Sequence, residues 1–225
     1  MITFSKQDFL KNLYKQKERG NNSTSATMLA DILKVSNAAI SDMSKKLSVD
    51  GLIHYKPYKG LVLTMQGETE ALKVLRRHRL WEMFLVETLS MDWAEVHEEA
   101  ENLEHLSSDS LMDKIDEFLG FPQFDPHGSP IPDKNGVLPE VPEMITMNDA
   151  EPGHVYKIIR VNDLDKRIMK YFKKIGLTLY SEILIKERLK FDNSVIVDVN
   201  GSDIIMSEKL AASIFLLNTA CKSTV

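Results

Sequence analysis

Six of the eight prolines in this 225-residue chain fall between Pro122 and Pro142. Proline fixes φ and removes a backbone donor, so neither a helix interior nor a central strand runs through that stretch. With its DPHGSPIPDKNG composition the segment reads as a linker, and a boundary is expected near residues 140–150. The two sides are patterned differently. Before the prolines, apolar residues recur at three- and four-residue intervals; after them, apolar and polar residues alternate.

On the N-terminal side, Phe9, Leu10, Leu13 and Tyr14 stand at helical spacing within residues 5–18, ended by Gly20. Ser25 is placed to cap a short helix through Leu33, and Ser36 or Asn37 to cap a second that runs to about Asp50. The following LIHYKPYKGLVLT reads as two short strands around a Pro-Tyr-Lys-Gly turn. Residues 1–65 are therefore expected to form a winged helix-turn-helix. Residues 66–140 follow as a helical unit: one long helix over Gln66–Leu89, a second from Trp93 to Leu106, and a third capped by Ser110 and stopped by Gly120. In residues 150–218, HVYKIIRV, LYSEILIKERL, SVIVDV and DIIMS read as strands and DKRIMKYFKKIGL as an amphipathic helix. That pattern suggests a small β-barrel carrying one helix. LAASIFLL is too short to span a bilayer and reads as a last helical turn or strand. The expected class is mainly α with a small β part.

Charge is segmented in the same way. The overall net charge of −5 resolves into +5 over residues 1–65, −13 over 66–150 and +3 over 151–225. A basic module facing a polyanion, joined to an acidic one, is the physical suggestion. With 43% hydrophobic and 27% charged residues, wholesale disorder and membrane burial are excluded. The single cysteine, Cys221, excludes an intramolecular disulfide and a multi-thiolate metal site. No secretory signal or membrane anchor is legible at the N-terminus, so a reducing cytoplasm is the expected location, with no membrane partner.

The acidic unit carries the chemistry. In VHEEAENLEHL, His97, Glu101, Glu104 and His105 stand at offsets 0, 4, 7 and 8, which puts four donors on one helix face. In RRHRLWEMF, His78 and Glu82 repeat the i, i+4 spacing on another helix. Packed side by side, such helices concentrate carboxylates and imidazoles, and a divalent cation relieves the repulsion. Oxygen donors with a few imidazoles and no thiolate suit Mn(II) first and Fe(II) second, and disfavour structural zinc. An enzyme is not expected. His97-Glu98 is followed by Glu101 where a zinc protease needs its second histidine, and Asn102 stands three before His105 where a di-iron bundle needs glutamate. No nucleotide or nucleophile signature is present, and no small-molecule substrate is expected.

In the N-terminal unit, SNAAISDMSKKLSVDG is the helix that would enter a major groove of double-stranded DNA. Ser36, Asn37, Ala38, Ala39, Ser41 and Asp42 would lie toward the groove, Lys45 and Lys46 toward phosphate, with Tyr58 and Lys59 in the wing. Ile40, Met43 and Leu47 would pack inward. A metal-binding protein-interaction module without DNA-binding activity is the alternative that these residues leave open.

The winged helix, RRHRLWEMFL, VHEEAENLEH, DPHGSPIP and a small barrel, in that order, closely resemble the diphtheria toxin repressor family of metal-dependent transcriptional regulators over nearly the whole chain. The resemblance implies a cytoplasmic homodimer whose metal-loaded form binds palindromic operators of metal-uptake genes and represses them. It implies a primary metal site of Asp8, Glu101, Glu104 and His105. It also implies an ancillary site of His78, Glu82 and His97, completed by groups from the linker or the barrel, for which Asp125, His127 and Asp163 are the candidates. Iron-responsive members carry Met and Cys where this chain has Asp8 and Glu101, so the resemblance is to the manganese-responsive branch. Short manganese regulators have Glu where this chain has Lys11, which implies two separate mononuclear sites and not a bridged pair. The barrel resembles the family's SH3-like (FeoA-like) domain.

Overall fold

The computed structural model describes residues 4–56, 60–162 and 166–217; Tyr58, Lys59, Asp163 and Cys221 lie outside them. Helix α1 (Phe4–Glu18) buries Phe9, Leu10, Leu13 and Tyr14. Helix α2 (Ala26–Leu33) opens on Ser25, whose hydroxyl accepts from the Met28 amide, and closes on Lys34 in the left-handed region at φ 55°. Helix α3 (Asn37–Val49) opens on Ser36, which accepts from the Ala39 amide. Of the two caps the sequence offered, serine is used, and it adds about 1 kcal/mol to so short a helix. Ile40 and Leu47 of α3 are buried and Met43 is half-buried, as the spacing predicts.

Strands β1 (Ile53–Lys56) and β2 (Gly60–Leu63) pair antiparallel with Ile53 opposite Leu63, and Thr24 bridges to Leu61. Helix α4 (Met65–Leu89) starts at Thr64, whose hydroxyl accepts from the Gly67 amide and donates to the Gly51 carbonyl at 2.7 Å. A Cβ at residue 67 would stand 1.9 Å from the Leu52 carbonyl oxygen, so only glycine lets α4 begin this close to the wing. Ala71 and Leu75 of α4 then join Phe9, Leu10, Leu29, Ile40, Leu47 and Leu61 in one core. The long helix thus belongs both to the winged unit and to the helical unit after it.

Two helical boundaries differ from the sequence reading. Helix α5 spans only Val96–Leu103, because residues 93–95 are taken up in a turn. Helix α6 (Asp109–Phe118) is capped by Ser108, not Ser110: the Ser108 hydroxyl accepts from the Leu111 amide. Met112 and Ile115 of α6 form a small second core with Leu80 and Ile131, and Trp81 and Phe84 pack against it.

The proline-rich segment is more than a tether. Phe124 bridges to Pro130, the Val161 amide donates to the His127 carbonyl at 2.9 Å, and Asp125, His127, Ser129 and Ile131 are buried. Gly128, at φ 84°, permits this docking, since a Cβ there would meet the Ile159 carbonyl oxygen at 2.0 Å.

The C-terminal unit is one antiparallel six-stranded sheet in the order β3-β8-β4-β5-β6-β7. Its strands are β3 (Met144–Thr146), β4 (Val155–Val161), β5 (Glu182–Arg188), β6 (Val195–Val199), β7 (Ser202–Met206) and β8 (Ile214–Leu217). Register shifts at Ile158/Arg160 and Ile185/Glu187 bend it. Besides the expected helix α7 (Lys166–Lys174), a short α8 (Glu208–Ala211) precedes β8, so LAASIFLL supplies both a helical turn and a strand. The three-residue β3 has no alternation long enough to read in sequence. Trp93 and Ala94, from the α4–α5 turn, pack into the core of this sheet with Phe172 and Met169 of α7. Lys173 pairs with Asp92, and Lys170 Nζ stands 3.3 Å from Glu95 Oε1, so a basic face of α7 meets the acidic turn.

Candidate metal centre and DNA-facing surface

Four elements deliver the candidate ligands. The i, i+4 spacing on α4 puts His78 and Glu82 one turn apart on one face. Helix α5 and its C-terminal turn carry His97, Glu101, Glu104 and His105; α1 carries Asp8; the docked proline-rich segment carries Asp125 and His127. Three sets of donor atoms converge, each within 4.8 Å: His78, His97 and Glu101; Asp8, Glu104 and His105; and Glu82, Asp125 and His127. All the sequence-derived ligands among the described residues are brought together. The grouping differs in detail from the resemblance: Glu101 stands with the histidines of α4 and α5, and Glu82 stands with the docked segment.

The contacts are short and interlocked. Glu82 Oε1 lies 3.1 Å from His78 Nε2 and 3.0 Å from His97 Nδ1, while Glu82 Oε2 faces His127 Nδ1 at 3.8 Å. His78 Nδ1 is 2.7 Å from Glu104 Oε2, and His105 Nε2 is 2.8 Å from Asp8 Oδ1 and 3.3 Å from Glu104 Oε1. Asp8 Oδ1, His78 Nδ1, Glu82 Oε2 and Glu104 Oε2 are all buried without a hydrogen bond of proper geometry. Buried polar atoms left so are costly, and a cation that accepts their lone pairs removes the cost. The residues present therefore fit a hard divalent ion held by carboxylate oxygens and imidazole nitrogens.

The local field is strong. Burial opposes ionisation of Glu82, but the facing imidazoles of His78, His127 and His97 hold its carboxyl well below the usual range. Burial likewise opposes protonation of His78, but Glu82 and Glu104 together outweigh it, so the imidazole is pushed up. Glu101 is lowered to about 2 against its own burial, chiefly by Lys11. Asp8 is raised by burial, which its neighbours His105 and Lys11 only partly offset.

Several supporting residues escaped the sequence reading. Gln7 Oε1 holds His105 Nδ1 at 2.8 Å, and the Trp93 carbonyl accepts from His127 Nε2 at 2.8 Å while the Trp93 ring stacks on the imidazole. Each is a second partner of a candidate ligand, of the kind that fixes imidazole orientation. Buried Arg79 donates to the Pro130 carbonyl and to Glu18, and its Nε stands 3.7 Å from Asp125 Oδ2. Its place one residue after His78 was the available signal. Lys11, noted in the sequence only as a departure, is wholly buried between Glu101 and Glu104.

On the outer face of α3, Ser36, Asn37, Ala38, Ala39, Asp42, Lys45 and Lys46 are exposed and Ser41 is half-buried. Asp42 Oδ1 is 3.7 Å from Lys45 Nζ, which softens its repulsion toward a polyanion. Ser41 Oγ lies 3.4 Å from Tyr55 Oη, linking α3 to the wing.

A basic winged helix, a helical unit lined with carboxylates and imidazoles, and a small C-terminal sheet define a DNA-binding regulator of the metal-dependent class. The comparisons agree along the chain. The iron dependent repressor N-terminal DNA binding domain matches residues 1–61, the iron dependent repressor metal binding and dimerisation domain matches 64–133, and the FeoA domain matches 145–217. The chain belongs to the iron-dependent repressor family, whose members are transcriptional repressors and not enzymes. It is 27% identical over 216 residues to the diphtheria toxin repressor of Corynebacterium glutamicum, covering 92% of each chain. It is similar to a solved manganese-dependent transcriptional repressor in complex with manganese, with TM-score 0.88 and 36% identity over 94% of this chain and 99% of that one. It is also similar to ScaR with bound Cd2+, with TM-score 0.82 and 32% identity over 94% and 98%. No helix among the described residues is long and apolar enough to cross a membrane.

Proposed function

We propose that this chain is a cytoplasmic homodimeric repressor, activated by Mn(II) with Fe(II) as the alternative, that binds palindromic operators of metal-uptake genes. The observation that carries the reading is the convergence of Asp8, from the DNA-binding unit, on Glu104 and His105, from the helical unit. A divalent ion supplies the charge that lets these three donors share one place. Asp8 ties α1, and with it the winged helix, to α5; Glu104 and His105 anchor that tie, and Gln7 orients His105. His78, His97 and Glu101, and Glu82 with Asp125 and His127, supply further oxygen and nitrogen donors, with Asp163 as a candidate addition. The all-oxygen-and-nitrogen donor set favours manganese, as does the likeness to a manganese-dependent repressor. The residues at the outer face of α3, Ser36, Asn37, Ala38, Ala39, Ser41, Asp42, Lys45 and Lys46, face the major groove in this reading, and Tyr58 and Lys59 are further candidates. Holding two such helices at fixed spacing in a dimer matches half-sites about one DNA turn, or a multiple, apart.

The test is selection of genomic DNA fragments by chelator-stripped protein with Mn(II), Fe(II), Zn(II) or no metal. Palindromic fragments recovered with Mn(II) and lost with chelator support the reading. Equal recovery without metal, or no recovery under any condition, overturns it; the second result favours the metal-binding protein-interaction module.

A further inference from the structure

We propose that Lys11 is a built-in competitor for the metal at Asp8, Glu104 and His105, so that an ion loads there only by taking Glu104 from the lysine ammonium. The inference rests on the metal-sensing reading above. Lys11 has no exposed side-chain surface, and its Nζ donates to Glu101 Oε1 at 2.7 Å and to Glu104 Oε1 at 2.5 Å. Glu101 and Glu104 belong to different donor sets, so the ammonium stands between the groups that α4 and α1 make with α5.

The competition falls on one atom. Glu104 Oε1, which accepts from Lys11, is also the oxygen nearest His105 Nε2, at 3.3 Å, and His105 in turn lies 2.8 Å from Asp8. The other oxygen, Oε2, faces His78 Nδ1 at 2.7 Å, on the side away from His105. A divalent ion placed between Asp8, Glu104 and His105 meets Oε1, the oxygen beside His105 that Lys11 occupies. An ammonium and a dication on one carboxylate oxygen repel within a few ångströms, and burial leaves little water to screen them. Glu101, 36% exposed, gives the displaced ammonium a place to stay, because it already accepts from it.

Two consequences follow for sensing. In the metal-free chain Lys11 neutralises part of a cluster that would otherwise push α1 away from α5. The same contact raises the metal concentration at which the site fills, so one residue sets the threshold of the response without touching DNA.

The test is calorimetric titration of Mn(II) into chelator-stripped full-length protein, wild type against Lys11→Met and Lys11→Arg. Methionine keeps an unbranched apolar stem and removes the charge. Lys11→Met is expected to bind Mn(II) roughly tenfold more tightly or better, and Lys11→Arg to stay close to wild type. Unchanged or weaker binding by Lys11→Met, beside a wild type that binds, overturns the role of Lys11 and leaves the metal-sensing reading standing. A wild type that takes up no Mn(II) is the distinct failure of that reading. Should Lys11→Met not fold, the 15N signal of the buried Lys11 ammonium in wild type decides. It is expected to shift or vanish as diamagnetic Cd(II) is added, and an unchanged signal at saturation overturns the proposal.

Discussion

Three carboxylates face the buried imidazole of His78. Glu82 reaches it from its own helix, Glu101 and Glu104 from α5, His97 lies against its ring, and Lys15 of α1 opposes the carboxylates. Burial alone would strip its proton; Glu82 and Glu104 together outweigh burial, and the pKa is raised above its ordinary value of 6.5. The sign follows. A raised pKa means that the proton stabilises the metal-free fold fully below the unfolded value of about 6.5, and that this contribution is lost as pH rises through the folded value. A metal ion needs the same imidazole unprotonated. Mn(II) affinity is therefore expected to increase with pH and to keep increasing above 6.5, measured by titration at several pH values. Flat affinity above 6.5 would contradict this. The i, i+4 spacings alone mark His78, Glu82, His97 and Glu101 as ligand candidates, since helical periodicity puts each pair on one face. Burial of Lys11 was not legible, because a lysine on an amphipathic helix reads as solvated until the facing helix proves to present two carboxylates.

At the scale of elements, local signals worked where a single residue type had one use. Ser25 and Ser36 precede α2 and α3 as caps, and the long interval without a helix breaker made α4 readable. They failed where the sequence offered a choice. Ser107-Ser108-Asp109-Ser110 holds several possible caps, and either start keeps Met112 and Ile115 on the buried face, so periodicity could not choose Ser108. The proline-rich segment misled for a related reason. Proline excludes regular structure but says nothing of docking, and what docks this segment is the hydrogen bond from Val161 to His127 with the close approach at Gly128. Gly128→Ala should accordingly cost at least about 1 kcal/mol from the left-handed conformation alone, with the clash against Ile159 added. Denaturant unfolding of the chelated protein measures it. Because the same segment carries Asp125 and His127, Mn(II) affinity should fall with it; a variant as stable as wild type would show that the segment is not held as described.

Across the whole molecule the three units share residues and are not merely strung together. Helix α4 contributes Ala71 and Leu75 to the winged core and His78 and Glu82 to the ligand cluster. The turn after it sends Trp93 and Ala94 into the core of the C-terminal sheet. The Trp93 ring also stacks on His127 and its carbonyl accepts a hydrogen bond from that imidazole, so the sheet reaches the candidate metal centre through one residue. Trp93 thus serves the chain's own packing, whereas Leu89 remains 57% exposed. The order of units, their approximate extents and the basic and acidic halves were visible in the sequence; the contacts between units were not, since they depend on single residues in turns.

A metal can act as a switch here only if it binds the DNA-competent arrangement more tightly than the others, and Asp8 is the one described ligand candidate contributed by the winged unit. The direct test is fluorescence anisotropy of a selected operator fragment titrated with chelator-stripped protein across Mn(II) concentrations, wild type against Asp8→Ala. The account predicts that Mn(II) strengthens operator binding by wild type roughly tenfold or more and hardly changes that of Asp8→Ala, whose circular dichroism stays that of wild type. Full Mn(II)-dependent operator affinity in Asp8→Ala would contradict it.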